Sequence, residues 1–206
     1  MRLFVISHGL ARYCLSVWRT LAGDGRWIHP GAWRFRIDEL GKPYARLEEG
    51  GAGADALPLY NLSHTRGAAV VAVMRACHPG DRLGVDVESK ARTMKAVPLA
   101  ERYFAKEEVA DVIATGDATR ANARFIRYWT LKEAYLKATG AGLTKPLASF
   151  AFKPSEKGAE LLYDKTRDGS PDWKFFSMEF ENEYRVSLAV SRRKRENESH
   201  VPVFRK

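Results

Sequence analysis

Cysteine is scarce in this chain, with Cys14 and Cys77 as the two thiols among 206 residues. The two residues lie far apart and show neither the density of a disulfide scaffold nor the paired spacing of a zinc site. This pattern is typical of a reduced protein, so we expect a cytoplasmic chain, and an ordinary core thiol is one interpretation of either residue.

A long apolar run is also missing. Residues 1–21 are rich in apolar side chains, but Arg2, His8, Arg12 and Arg19 interrupt them. Basic side chains at this spacing are incompatible with a membrane-spanning helix and with the apolar core of a signal peptide. We therefore expect neither a membrane span nor secretion.

Negative charge is in short supply as well. The chain has 25 Asp and Glu residues against 34 Lys and Arg residues, which gives a net charge of +9. Such an excess attracts polyanions of several kinds, including nucleic acids, anionic membranes, phosphate-rich ligands and acidic proteins. Composition alone does not choose among them.

The length favours one large domain or two small subdomains with a buried core.

Hydrophobic periodicity predicts an α+β chain in which each half has a helix followed by strands. Gly41, Lys42 and Pro43 form a predicted turn, and residues 48–56 a predicted loop. Helices are predicted at residues 1–21, 100–115 and 119–139, and strands at residues 34–37, 59–63, 67–74, 83–88, 160–163, 173–180 and 184–190.

Two carboxylates alternate along the predicted strand at residues 83–88. Asp86 and Glu88 share one face, whereas Val85 and Val87 point the other way into a core. Two like charges this close repel each other unless a cation lies between them, and carboxylate oxygens are ligands that suit Mg²⁺. The alternative is an exposed strand edge whose charges serve solubility.

A third carboxylate lies on the predicted helix at residues 119–139. Trp129, Glu133 and Lys137 are spaced by four and therefore share one helix face. Glu133 can complete a carboxylate cluster, and Lys137 lies one turn beyond it, where it can bind a phosphate. The alternative is a stabilising Glu–Lys pair on an exposed helix, although an indole on the same face argues against it.

Ser63 and His64 follow Asn61 and Leu62 at the end of a predicted strand. Adjacent residues on an extended chain point in opposite directions, which disfavours a Ser–His nucleophile pair. A hydroxyl and an imidazole can instead hold a phosphate, and a structural histidine is the alternative.

In this order, the three segments resemble the signature motifs of the 4′-phosphopantetheinyl transferases: Asn-Leu-Ser-His at 61–64, Gly-Val-Asp-Val-Glu at 84–88, and residues 129–140. The resemblance is closest to the larger, monomeric, surfactin-synthetase-activating type. It implies two similar α/β subdomains in a pseudo-twofold arrangement, which we place at residues 1–83 and 84–191, before a basic tail at 192–206. Members of this type usually carry more residues before the first helix, so we expect this sequence to lack the family's usual N-terminal segment.

The resemblance implies an enzyme that transfers 4′-phosphopantetheine from coenzyme A to a serine of an acyl or peptidyl carrier protein, with Mg²⁺. It assigns the metal to Asp86, Glu88 and Glu133, proton removal to Glu133, and stabilisation of the leaving phosphate to Lys137. Lys132 is expected to add positive potential. The coenzyme A contacts that it implies are Arg12, Lys42, Pro43, Ser63, His64, Asp86 and Lys137.

Two other functions fit part of the pattern: a Mg²⁺-dependent nuclease and a non-enzymatic nucleic-acid binder. Outside the tail the basic residues are dispersed, and no RNP-type or zinc motif is present, so both rank below the transferase. We expect a cytoplasmic monomer without a nucleic-acid or membrane partner, acting on carrier proteins of fatty-acid, polyketide or nonribosomal-peptide synthesis. Residues 94–104 are a predicted docking segment for the carrier.

Overall fold

The structure is a computed structural model that describes residues 2–22, 25–37, 42–47, 58–78, 80–165 and 172–192. The helices are α1 (Arg2–Ala22), α2 (Ala96–Tyr103), α3 (Lys106–Ile113) and α4 (Ala118–Thr139). The strands are β1 (Trp33–Ile37), β2 (Pro43–Leu47), β3 (Pro58–Thr65), β4 (Ala68–Arg75), β5 (Arg82–Ser89), β6 (Phe150–Pro154), β7 (Gly158–Asp164), β8 (Trp173–Phe180) and β9 (Tyr184–Ser191).

The strands form antiparallel sheets, which the helices cover. β1 pairs with β2, β3 pairs with β4, and a five-stranded sheet has the order β5-β9-β8-β7-β6. Antiparallel sheets with separate helices are the α+β class, so that prediction is confirmed. The predicted division between residues 83 and 84 falls inside β5 and stays a prediction, and the predicted tail lies outside the described residues from 193 onward.

The N-terminal part is built on α1, which confirms the helix predicted at residues 1–21. Ile6 and Leu21, two of the apolar residues that carry its periodicity, are however exposed. Ala11 and Leu15 on the inner face of α1 are fully buried against Trp33 of β1 and Tyr60 of β3. The indole Nε1 of Trp33 donates to Ser16 Oγ at 3.0 Å, so that this buried donor is satisfied.

Among the described helices, none is both long and apolar enough to cross a membrane.

The strand predictions at residues 34–37, 59–63 and 67–74 are confirmed by β1, β3 and β4. β2 was not predicted: the Gly-Lys-Pro sequence suggested only a turn, but the chain continues as a strand from Pro43. Gly41 and the predicted loop at 48–56 lie outside the described residues.

Helix α4 is the central element of the second half. The Asp117 side chain caps its first turn by accepting from Arg120 N at 2.8 Å, and Gly140 ends it with a left-handed φ of 73°. Its inner face packs on the five-stranded sheet through Phe125, Leu131 and Tyr135. These caps agree with the helix predicted at residues 119–139.

The single helix predicted at residues 100–115 is wrong, because the chain breaks between α2 and α3. Phe104 is extended at this point, and its ring stacks on Phe125 with centroids 4.7 Å apart. Ala105 is also extended, and Glu108 reaches back to accept from Ala105 N at 3.0 Å. The break therefore places the Phe104 ring in the core, which a continuous helix would not do.

Lys132 lies on the buried side of α4, so the expectation that it adds positive potential at the phosphate site is wrong. Its ammonium forms an ion pair with the fully buried Glu108 at 2.8 Å. It also donates to the carbonyl oxygens of Leu147 and Phe150, both at 2.7 Å. Lys132 thus ties α4 to α3 and to the start of β6.

Gly84 allows α4 to approach β5 closely. A Cβ atom at this position would lie 2.1 Å from Ala134 O and 2.5 Å from Ala138 N, both backbone atoms of α4. Backbone atoms cannot move aside as a flexible side chain can. The short motif Gly-Val-Asp-Val-Glu therefore begins with a residue that sets the distance between strand and helix.

Replacing Gly84 by Ala is expected to lower the free energy of unfolding by about 1–3 kcal/mol or more, because the methyl group overpacks the helix–strand contact. Denaturant unfolding measures this. Gly9→Ala is the control, since nothing lies within 4 Å of the added Cβ in α1, and it should be neutral or stabilising. A Gly84→Ala protein as stable as the parent would contradict the close approach.

Candidate active site

The site forms where β5 meets β3 without a backbone ladder between them. Asn61 Oδ1 accepts a hydrogen bond from Val85 N at 2.8 Å, and Ser63 Oγ accepts one from Val87 N at 3.3 Å. Alternate side chains of β3 therefore take the place of backbone acceptors along this edge of β5. The other edge of β5 pairs with β9, so β5 is enclosed on both sides.

Asp86 lies at the centre of this junction and is buried, with 6% of its surface exposed. The exposed-edge alternative is therefore wrong for this residue. Asp86 Oδ1 accepts from Ser63 Oγ at 2.8 Å and from Lys137 Nζ at 2.7 Å. Its second oxygen, Oδ2, is buried and has no hydrogen-bond partner within the described part of the chain.

Burial raises the pKa of Asp86, while Lys137 and Ser63 act in the opposite direction and the charge of Glu88 adds to the rise. A buried carboxylate oxygen without a donor is costly, because it has lost its water and gained nothing in return. Asp86 Oδ2 is therefore the atom in this junction that most needs a positive partner.

Lys137 neutralises one side of the Asp86 carboxylate. Its Nζ donates to Asp86 Oδ1, to Ser63 Oγ at 2.9 Å and to Val85 O at 3.2 Å. These three acceptors match the three donors of an ammonium group. In this arrangement Lys137 organises Asp86 and Ser63, and the predicted contact with phosphate stays a prediction.

Glu133 lies one turn before Lys137 on α4, as the spacing predicted, and is half-buried. Burial raises the pKa of Glu133 most, the negative charge of Asp86 raises it further and Glu88 adds a smaller rise, whereas Lys137 lowers it. The strand and helix motifs thus bring their carboxylates close enough to repel one another.

Glu88 is held differently from the other two carboxylates. It accepts from Thr65 Oγ1 at 3.1 Å and pairs with Arg92 at 2.6 Å. The Arg92 pairing was not predicted, although its position four residues after Glu88 is visible in the sequence. Both oxygens of Glu88 therefore already have protein partners.

The carboxylates are a suitable donor set for Mg²⁺, which commonly uses one or two protein carboxylates and completes its shell with water and substrate phosphate. Asp86 supplies the buried, unpartnered Oδ2, and Glu133 is the neighbouring carboxylate on α4. No three His, Cys, Asp or Glu side chains in the described ranges converge closely enough to hold a metal by themselves. The predicted three-carboxylate set stays a prediction.

Lys42 lies at the C-terminal end of α4, and Pro43 begins β2. Lys42 Nζ donates to Ala138 O at 3.0 Å and to Leu83 O at 3.3 Å. A cation at this position is favourable because the last carbonyls of a helix are unsatisfied and carry partial negative charge. Lys42 joins β5 to α4, whereas its predicted contact with coenzyme A, like that of Pro43, stays a prediction.

Arg12 and His64 lie near each other on α1 and β3, away from the Asp86 side of β3. The guanidinium of Arg12 lies 4.6 Å over the ring of Phe35, which stacks on Tyr60. Burial lowers the pKa of His8, and the positive charges of Arg12 and His64 lower it further. His8 was not predicted, yet its spacing of four from Arg12 places both on one face of α1.

The predicted docking segment at residues 94–104 is mostly core. Phe104 is buried, and Met94 and Val97 pack against the same cluster. Tyr103 remains 39% exposed. Carrier docking at this segment stays a prediction, with Tyr103 as the apolar side chain that is available for it.

This chain is similar to known phosphopantetheinyl transferases. The family model of the 4′-phosphopantetheinyl transferase superfamily matches residues 82–189, which include β5 and α4. The transferase HetI of Nostoc sp. is 34% identical over 132 residues, covering 63% of this chain and 51% of that protein. A phosphopantetheinyl transferase of Thraustochytrium sp. is 31% identical over 184 residues, covering 84% of this chain and 60% of that protein.

The chain thus spans about half to three-fifths of the length of these two relatives. Among solved structures, the holo-[acyl-carrier-protein] synthase of Thermotoga maritima is similar, with a TM-score of 0.44, 22% identity, and coverage of 55% of this chain and 64% of that one. Since the family match extends over more than half of the sequence and contains both carboxylate motifs, this chain belongs to the 4′-phosphopantetheinyl transferase superfamily.

Proposed function

We propose that this protein transfers 4′-phosphopantetheine from coenzyme A to a serine hydroxyl of an acyl or peptidyl carrier protein. The observation that carries the proposal is Asp86 Oδ2, a buried carboxylate oxygen without a partner in the described part of the chain, beside a second carboxylate, Glu133. These two residues come from two separate motifs of a family of phosphopantetheinyl transferases. A cation-binding carboxylate pair is the chemistry that transfer from a pyrophosphate requires.

Asp86 and Glu133 would hold Mg²⁺, with Glu88 as an outer member whose oxygens are shared with Thr65 and Arg92. When bound, Mg²⁺ neutralises the negative charge that develops on the pyrophosphate of coenzyme A. The protein's own contribution is to favour the ionised form of Asp86 against the effect of burial. Lys137 and Ser63 do so by hydrogen bonding to Oδ1 and leaving Oδ2 for the metal.

The transfer itself exchanges one phosphorus–oxygen bond for another. The serine oxygen of the carrier bonds to the β-phosphorus of coenzyme A, and the bond from that phosphorus to the bridging oxygen breaks. The bridging electron pair leaves with adenosine 3′,5′-bisphosphate, while the serine proton must go to a base.

Glu133 is the residue that we assign as this base. Without a bound metal, burial and the charge of Asp86 raise the pKa of Glu133. With Mg²⁺ bound, its carboxylate would take the serine proton directly or through a water molecule. It lies on α4 and would share the metal with Asp86 of β5, so that the base and the metal ligands are held by one helix–strand contact.

Arg12 and His64 would hold the nucleotide part of coenzyme A. Arg12 presents positive charge over the Phe35 ring, which stacks on Tyr60, and a guanidinium next to an aromatic face suits a phosphorylated nucleotide. Lys42 and Pro43 would lie at the adenine, although Lys42 also caps α4.

The proposal is tested by incubating the purified chain with Mg²⁺, coenzyme A and an apo carrier protein and measuring the intact mass of the carrier. We expect the mass to increase by one phosphopantetheine group, and a chelator to abolish the increase. An unchanged mass at saturating coenzyme A, with folding verified by circular dichroism, would refute the proposed activity.

Asp86→Asn and Glu133→Gln are expected to reduce the transfer rate by at least about 100-fold, because each removes a charge or a base that acts on the reacting atoms. Both changes preserve side-chain shape. Glu156→Gln, at an exposed turn, is the matched control and should transfer at the parental rate. Near-normal turnover in either site variant would show that the replaced residue takes no part in the reaction.

Ser63→Ala should be milder for turnover than Asp86→Asn, because Ser63 positions Asp86 and Lys137 and does not react. Loss of its hydroxyl leaves the buried Val87 N without its acceptor, which should cost about 1–3 kcal/mol of stability. Unfolding and single-turnover rates measure the two effects, and the exposed Ser155→Ala is the control. An unchanged unfolding free energy would show that Ser63 does not join β3 to β5.

A further inference from the structure

A cavity of about 360 Å³ opens beside the first turns of α4, and its lining includes the side chains of Arg120, Arg124, Arg127 and Arg185. It has no acidic lining residue among those that the structure describes. Arg124 precedes Glu133 by nine residues, which is roughly 13 Å along the helix axis. The cavity adjoins the proposed active site without including its carboxylates, because Arg127 precedes Glu133 by six residues and Arg185 lies opposite Glu88 in the β5–β9 ladder.

Two of these four arginines are balanced by carboxylates just outside the cavity. Arg124 pairs with Asp111, which also accepts from Tyr128 Oη at 2.8 Å. Arg185 pairs with Glu179, but Glu179 is shared with Lys90 at 2.7 Å. The carboxylates therefore only partly neutralise the arginines that they contact.

Arg127 has no carboxylate partner in the part of the chain that the structure describes. Its guanidinium donates to the carbonyl oxygens of Ser155 and Gly158, and its Nε is buried without a hydrogen-bond partner among the same residues. Burial lowers the pKa of Arg127, and the neighbouring charges of Arg185 and Arg124 lower it further. The positive charges of Arg124, Arg127 and Arg185 thus repel one another, and the Nε donor of Arg127 has no acceptor among the described residues.

Arg120 adds a fourth positive charge at an unfavourable position. It lies in the first turn of α4, directly after the Asp117 cap, where the helix dipole disfavours a cation. Within the described residues its guanidinium forms no ion pair. The exposed guanidinium of Arg120 is therefore available to a ligand in the cavity.

We propose that this arginine cavity, formed by Arg120, Arg124, Arg127 and Arg185, binds a small multivalent oxyanion of the phosphate type. Guanidinium groups bind phosphate oxygens through paired hydrogen bonds, and several of them converge here. The cavity volume lies at the lower end of the range for small-ligand sites, so a small anion fits it better than a protein segment does. The proposal does not depend on the transferase activity.

Isothermal titration with inorganic pyrophosphate tests the site. A chelator is present and ionic strength is held constant, so that the carboxylates cannot recruit the anion through Mg²⁺. We expect one saturable equivalent for the parent protein, about tenfold weaker binding for Arg120→Ala, and still weaker binding for Arg120→Glu. Lys153→Ala, which removes an exposed positive charge on β6, is the matched control and should bind like the parent.

Two further measurements separate binding in the arginine cavity from misfolding and from binding at the proposed coenzyme A site. Arg120→Ala should unfold at the parental temperature or above, because it removes a cation from the first turn of α4, so weaker binding would not reflect misfolding. Arg12→Ala should leave pyrophosphate affinity unchanged, because Arg12 lies on α1, outside the cavity lining.

Absence of saturable binding, equal affinity in Arg120→Ala, or a loss caused by Arg12→Ala instead would each overturn the proposal. It would also be overturned if pyrophosphate failed to bind while Arg120→Glu slowed transfer to an acidic carrier. That result would make the cavity a protein-docking surface.

Discussion

The hydrogen-bonded group of Lys137, Asp86 and Ser63 is the interaction on which the rest of the site depends. A buried carboxylate is unfavourable unless its charge is compensated, and Lys137 and Ser63 compensate one oxygen of Asp86 at 2.7 and 2.8 Å. The other oxygen is left buried without a donor from the described residues. Oδ1 of Asp86 therefore links β3, β5 and α4, and Oδ2 is available for a cation.

This arrangement requires β5 to be enclosed by three different partners. Backbone pairing with β9 fixes one edge, the side chains of Asn61 and Ser63 fix the other, and α4 lies over the face at Gly84. Glu133 and Lys137 are consequently held relative to Asp86 by rigid elements rather than by loops. Pre-organisation of this kind keeps the carboxylates close together despite their mutual repulsion.

Much of the fold and part of the site could be predicted from sequence. α4 was predictable because periodicity, an Asp cap and a terminal Gly agree, and the spacing of Glu133 and Lys137 fixes their shared face. Other features depend on neighbours distant in sequence, including the burial of Lys132 with Glu108 and the break after α2. The contacts of Asn61 and Lys42 could also not be predicted from the sequence, because each side chain binds backbone atoms of another element.

The central claim is that Asp86 is the metal ligand of a phosphopantetheinyl transferase site, and diffraction with Mn²⁺ tests it most directly. Crystals grown with Mn²⁺ and coenzyme A, measured at the manganese absorption edge, should show an anomalous peak within bonding distance of Asp86 Oδ2. The pyrophosphate of coenzyme A should share that ion. A peak bound elsewhere, or coenzyme A bound with no metal near Asp86, would contradict the account.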